Sequence, residues 1–159
     1  MDRMGFKFLG NLHIIVVGER DPAPTDWNAY VDAIQAEEKR GMPATQLRTL
    51  VFSDGGGPNA VQRQVAREVR DERGSPLAIV TDSWFSRGVI TAARVVKPHR
   101  RAFAPGEMGS ALEFLGVPGT KLPQILRLAR EVQLGLGIPA VKSLSAAGAG
   151  RRVAVSSPR

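Results

Sequence analysis

The chain has 159 residues and no cysteine, which excludes disulfides, thiolate metal sites and thiol nucleophiles, and its 43% hydrophobic content suits one globular domain with a real core. The net charge is +7, but +4 of it falls after Ile138 (Lys142, Arg151, Arg152 and Arg159, with no acidic residue), which leaves +3 for the body and argues against a nucleic-acid partner. Two histidines make a histidine-rich metal site unexpected, and no apolar run reaches the roughly 20 residues that span a bilayer, so a cytoplasmic protein without membrane span or cofactor is expected.

In chain order, Gly5 to Leu9 and Leu12 to Val17 read as two strands around Gly10-Asn11, a hairpin signal. His13, inside the second apolar run, is expected as a packed residue rather than a ligand. Glu19 to Thr25 is a polar connection with two prolines. Thr25 is placed as the N-cap of a helix with Trp27, Tyr30, Val31 and Ile34 on one face, closed by Gly41. A core role for the aromatic pair is the simplest reading.

Thr49 to Phe52 is a short β-branched and aromatic run, ended by Ser53 and Asp54 and followed by Gly55-Gly56-Gly57-Pro58-Asn59. Val61, Val65 and Val69 then recur at helical spacing, with Pro58 fitting a first helical turn. This glycine-rich turn therefore lies at the C-terminal end of a strand and the start of a helix, the edge at which open α/β sheets meet ligands. It lacks the endings of a Walker A loop and of a dinucleotide fold. Two readings stay open: the glycines serve geometry alone, or they allow a ligand or partner to approach.

Leu77 to Val80 repeats the pattern, delivering Thr81, Asp82 and Ser83 to the same edge, and Trp84, Phe85, Val89, Ile90, Ala93 and Val96 predict a helix after it. His99 to Phe103 reads as a short basic strand near a sheet edge. With Lys97, its His99, Arg100 and Arg101 form either a solvated edge or a docking patch for an acidic partner. Met108, Ala111, Leu112 and Leu115 predict a short helix stopped by Gly116. Leu122, Ile125, Leu126, Ala129, Val132 and Leu136 give a last amphipathic helix that either packs on the sheet or mediates homo-oligomerisation through residues 121–136. Residues 138–159 read as a basic disordered tail.

The alternation predicts an α/β fold: a mostly parallel four- to five-stranded sheet with an N-terminal antiparallel hairpin strand and helical crossovers. In element order, Met4 to Val117 resembles the STAS domain of the bacterial anti-anti-sigma factors, in a divergent form related to the lipid-binding Sec14 fold. The amphipathic helix over 118–137 and the tail lie outside the resemblance. The resemblance implies a regulatory module that binds a protein partner, such as a kinase, through the loop after the third strand. In that family the loop carries an Asp-Ser pair whose serine is phosphorylated. Here Asp54 matches the aspartate, Gly55 falls at the serine, and Ser53 precedes the pair as the alternative hydroxyl.

The expected binding surface is Ser53, Asp54, Gly55, Gly56, Gly57, Asn59, Thr81, Asp82 and Ser83. It serves a protein partner or, alternatively, an anion, nucleotide or lipid. No serine has an elbow motif and neither histidine is readable beside a serine-aspartate set, so an enzyme is not expected.

Overall fold

The computed structural model describes residues 3–69, 75–82 and 99–149. A five-stranded sheet runs in the order β1 (Met4–Leu9), β2 (Leu12–Val17), β3 (Arg48–Ser53), β4 (Leu77–Thr81) and β5 (Arg100–Phe103). The β1–β2 pair is antiparallel and the three other pairs are parallel. The two-residue hairpin places Gly10 at φ 58°, a left-handed conformation that costs glycine nothing. The predicted strands are therefore present, and the basic strand lies at the sheet edge as expected.

Alternation along the strands divides the sheet into two apolar faces. On one, Ile15, Val17 and Val51 meet α1 (Pro24–Lys39) and α2 (Ala60–Val69) through Trp27, Tyr30, Val31, Ile34, Val65 and Ala66. On the other, Leu12, Ile14, Val16, Leu50, Phe52, Ala78, Val80 and Phe103 are covered by α3 (Met108–Leu115), α4 (Leu122–Gly135) and α5 (Lys142–Ala149). Each face buries its own core, which gives a three-layer α/β/α arrangement.

Helix α1 begins two residues earlier than an N-cap at Thr25 predicts. Pro24 takes the first helical position after Ala23, and neither Thr25 nor any other side chain caps the start. Asp26 instead reaches back to β1, accepting the N–H groups of Arg3 at 2.8 Å and Met4 at 3.3 Å. Helix α2 begins after Asn59, not at Pro58: the Asn59 Oδ1 accepts Gln62 N–H at 2.9 Å while Gln62 Oε1 accepts Asn59 N–H at 3.0 Å, a reciprocal capping box.

The amphipathic helix α4 lies on the sheet. Ile125, Leu126, Ala129 and Val132 are buried against β1 and β2, so of the two roles expected for this stripe the structure shows packing on the sheet. Gly5 makes this approach close, since a Cβ there would stand 2.7 Å from Val132 Cγ1. The expectation of a disordered tail from Ile138 is corrected for residues 141–149. Val141, Leu144 and Ala147 are buried and α5 is docked. Residues 150–159 and the helix predicted around Trp84 to Val96 lie outside the described residues.

Candidate ligand cavity and the glycine-rich turn

The expected binding loop is largely occupied with holding the fold. Ser53 is 5% exposed; its Oγ accepts Gly55 N–H at 3.0 Å and donates to Gly56 O at 2.7 Å, so the hydroxyl is enclosed by the turn it stabilises. Gly55 sits at φ 120°, which favours glycine. Gly56 is required by space: a Cβ would fall 2.2 Å from the carbonyl oxygen of Arg20 and 2.6 Å from that of Gly18, while its N–H donates to Gly18 O at 2.9 Å. The turn thus locks onto the end of β2, and geometry accounts for two of the three glycines. Gly57 has open space where a Cβ would be.

Asp54 caps α5 from 88 residues away. Its Oδ2 accepts Lys142 N–H at 2.7 Å and its Oδ1 accepts Ser143 N–H at 3.0 Å. These donors open a helix and have no partner within it, and a carboxylate suits the positive end of the helix dipole. Lys142 Nζ lies 3.6 Å from Glu19, beside the same contact. Asn59 is committed to the α2 cap, and its Gln62 partner also donates Nε2 to Pro22 O at 3.0 Å. Thr81 is buried, Asp82 is exposed, and Ser83 lies outside the described residues.

Beneath the turn, between the sheet and α1 and α2, lies a cavity of about 390 Å³, within the range of small-molecule pockets. Its floor is set by strand register. The row at the C-terminal ends of the strands is Val17, Ser53 and Thr81; the middle row is Ile15, Val51 and Ile79; the third lining row is Thr49 and Leu77, with Arg100. The floor is therefore polar at both ends and apolar between them. Trp27, Tyr30 and Ile34 form the α1 wall, and Gly55, Gly56, Gly57, Pro58 and Arg63 the upper rim.

Two polar atoms of well-buried residues on this lining have no hydrogen-bond partner among the described residues: Thr49 Oγ1, in a side chain that is fully buried, and Trp27 Nε1. A buried donor without a partner costs about 1–3 kcal/mol, so such atoms ask for an explanation. The described lining holds two arginines and no carboxylate. Of the expected site residues, the cavity brings together Ser53, Gly55, Gly56, Gly57 and Thr81, and it leaves Asp54, Asn59 and Asp82 outside.

Sequence reasoning missed Thr49, Trp27, Arg63 and Arg100 as lining residues. A readable signal was Thr49, a polar residue at the head of an otherwise apolar central strand. Strand alternation also divides the basic cluster: Arg100 lines the cavity, whereas the neighbouring Arg101 guanidinium stands 5.2 Å from the Phe103 ring centroid. His13 packs as expected, stacked on Phe8 at 3.9 Å and edge-on to Tyr30 at 6.0 Å. Among the described residues no acidic, cysteine or histidine cluster could hold a metal ion, and no helix is long and apolar enough to cross a membrane. No protein-family model, curated protein or solved structure matches the chain.

Proposed function

We propose that this protein is a non-catalytic regulatory module that senses a small molecule held between the sheet and α1–α2. The observation that carries the reading is the cavity itself, with an apolar middle row of Ile15, Val51 and Ile79 and polar residues in the rows on either side of it. A few placed polar groups in a mostly apolar concavity are the ordinary composition of a ligand pocket. The turn that rims the cavity also holds α5 through Asp54, so a ligand under the turn has a direct route to the opposite layer.

Two-dimensional amide NMR with a fragment collection tests this. Fragments are expected to shift the amides of Met4, Thr49, Val51 and Ile79, and Ala66→Trp, which fills the cavity from α2, is expected to abolish those shifts in a folded protein. Shifts confined to the outer surface around Asp82 and Val61 would sink the reading.

A STAS-like docking role is the second reading, in which a protein partner sits on the strand-end edge. It is favoured by Val61, an apolar side chain that is 73% exposed on α2 next to the turn. A partner lost on Val61→Asp, with the cavity amides unmoved on binding, would support it. Phosphorylation of Ser53 in this reading requires the turn to open, because its hydroxyl is enclosed by Gly55 and Gly56.

A further inference from the structure

At the same end of the sheet, where the segment between α4 and α5 crosses it, lies a second cleft of about 380 Å³. Its lining follows from how the chain leaves β2. Met4 pairs with Val17, and Gly18 N–H donates to Arg3 O at 3.4 Å, so Arg3 stands opposite the residue that follows β2. Arg20 comes two residues later, its carbonyl held against the Gly56 backbone. A Cβ on Gly18 would stand 3.1 Å from Ile138 Cδ1, so Ile138, Pro139 and Ala140 close on this loop and give the cleft an apolar wall.

The described lining holds three cations, Arg3, Arg20 and Lys142, and two carboxylates, both of them engaged. Asp54 gives its two oxygens to the N–H groups of Lys142 and Ser143, and Glu19 lies 3.6 Å from Lys142 Nζ. Among the described residues, neither the Arg3 nor the Arg20 guanidinium makes a hydrogen bond or an ion pair. Each therefore keeps its full fork of donors and its charge. The backbones that carry them are fixed, Arg3 by its N–H on Asp26 at 2.8 Å and Arg20 by its place against Gly56. Arg3 and Gly18 are about 5 Å apart across the strand pair, which brings two long side chains within reach of one anion.

A phosphate monoester carries about two negative charges and three acceptor oxygens, enough for two guanidinium forks, where a carboxylate offers one charge and two oxygens. The cleft is also larger than a phosphoryl group requires, and the wall that remains is apolar. We propose that this cleft binds a small phosphate monoester, its phosphoryl group on Arg3 and Arg20 and its organic body against Ile138, Pro139 and Ala140. The site stands apart from the cavity beneath the glycine-rich turn and does not depend on it. A ligand in it lies beside Lys142 and Asp54, and so braces the start of α5.

Calorimetric titration of the full chain with phenyl phosphate, inorganic phosphate and benzoate, paired with amide NMR, tests this. Phenyl phosphate is expected to shift the amides of Gly18, Glu19, Arg20, Ile138 and Lys142 and to leave Thr49 and Val51 in place. It should bind about tenfold more tightly than inorganic phosphate, which lacks the body, and than benzoate, which lacks the phosphoryl group. Arg3→Met and Arg20→Met should each weaken it about fivefold, in proteins that stay folded because both residues are anchored through their backbones. Arg127→Met, at an exposed arginine on α4, is the control and should change nothing. Ile138→Ala should narrow the gap between phenyl phosphate and inorganic phosphate without moving the affinity of the second, which separates body from head.

If inorganic phosphate or benzoate binds these amides as tightly as phenyl phosphate, or if the shifts survive in the double variant Arg3→Met with Arg20→Met, the assignment is overturned. A phosphoserine peptide that binds about ten times more tightly than phenyl phosphate would also overturn it, and would make the cleft a docking point for a phosphorylated protein. If no probe moves the cleft amides, the site falls, and the cavity reading above is untouched.

Discussion

Asp54 and Gly56 differ in kind from what their neighbourhood in sequence suggests. In a run of three glycines after Ser-Asp, the natural reading is a loop open to a ligand. The structure makes Gly56 a packing requirement and Asp54 a helix cap. No local signal separates Gly56 from Gly57, because what distinguishes them is a pair of carbonyls from residues 18 and 20. Gly56→Ala is accordingly expected to cost of order 2–3 kcal/mol in urea denaturation, and Gly57→Ala close to nothing, which makes the second an internal control. Asp54→Ala should cost about 1–2 kcal/mol, in the range of lost caps, with faster amide exchange confined first to residues 142–149. Asp54→Asn keeps an acceptor oxygen and should lose less.

Among the elements, the strands, the hairpin and the helices α1, α3 and α4 were legible because periodicity and punctuation agree over their lengths. Pro24 and Asn59 show where that reading slips by two residues. Pro22 and Pro24 crowd the first boundary and Pro58 the second, and the choice of cap depends on whether a partner side chain such as Gln62 is in reach. Helix α5 was illegible for a different reason. Lys142 to Ala149 contains one large apolar residue and two serines, and its cap comes from the far side of the sheet. Its stability is tertiary rather than intrinsic, as short helices require. Leu144→Ala should therefore cost about 3 kcal/mol. Ending the chain at Pro118 is expected to abolish cooperative unfolding by circular dichroism, since Ile125, Leu126 and Ala129 complete the core over β1 and β2. A folded, monomeric truncation would instead mean that α4 is an assembly element.

For the molecule as a whole, the two faces of the sheet are differently finished. Among the described residues, the face under α3, α4 and α5 is filled by nineteen buried hydrophobic residues in one cluster, whereas a cavity lies on the face under α1 and α2. That asymmetry is not legible in the sequence, because the strands alternate equally well toward both faces. A ligand binding only the folded state at 100 times its Kd adds about 2.7 kcal/mol of stability. That is expected to raise Tm by roughly 5–10 °C for a domain of this size. Electrostatics contributes at the outer surface. Lys7 on β1 and Glu131 on α4 approach to 2.6 Å, and the hydrogen bond from Lys7, then its charge, holds the Glu131 carboxyl below the usual glutamate range. A carboxyl depressed in the folded state stabilises above its unfolded pKa, and that contribution disappears as pH falls through the folded value. Lys7→Met should thus flatten the acid limb of the stability profile and return the Glu131 titration, followed by carbon NMR, toward the ordinary range. Salt should imitate part of the effect.

The reach of Asp54 to residues 142 and 143 also sets a timetable. Synthesis delivers the chain from its N-terminus at about 5–20 residues per second, so the turn at residue 54 waits several seconds for the helix it caps. Until residues 141–149 leave the ribosome, the place of Val141, Leu144 and Ala147 over β3 and β4 stays empty, and Phe52 and Val80 lack part of their cover. A nascent chain arrested with residue 138 at the tunnel exit should bind a hydrophobic chaperone, and one arrested some fifteen residues later should release it.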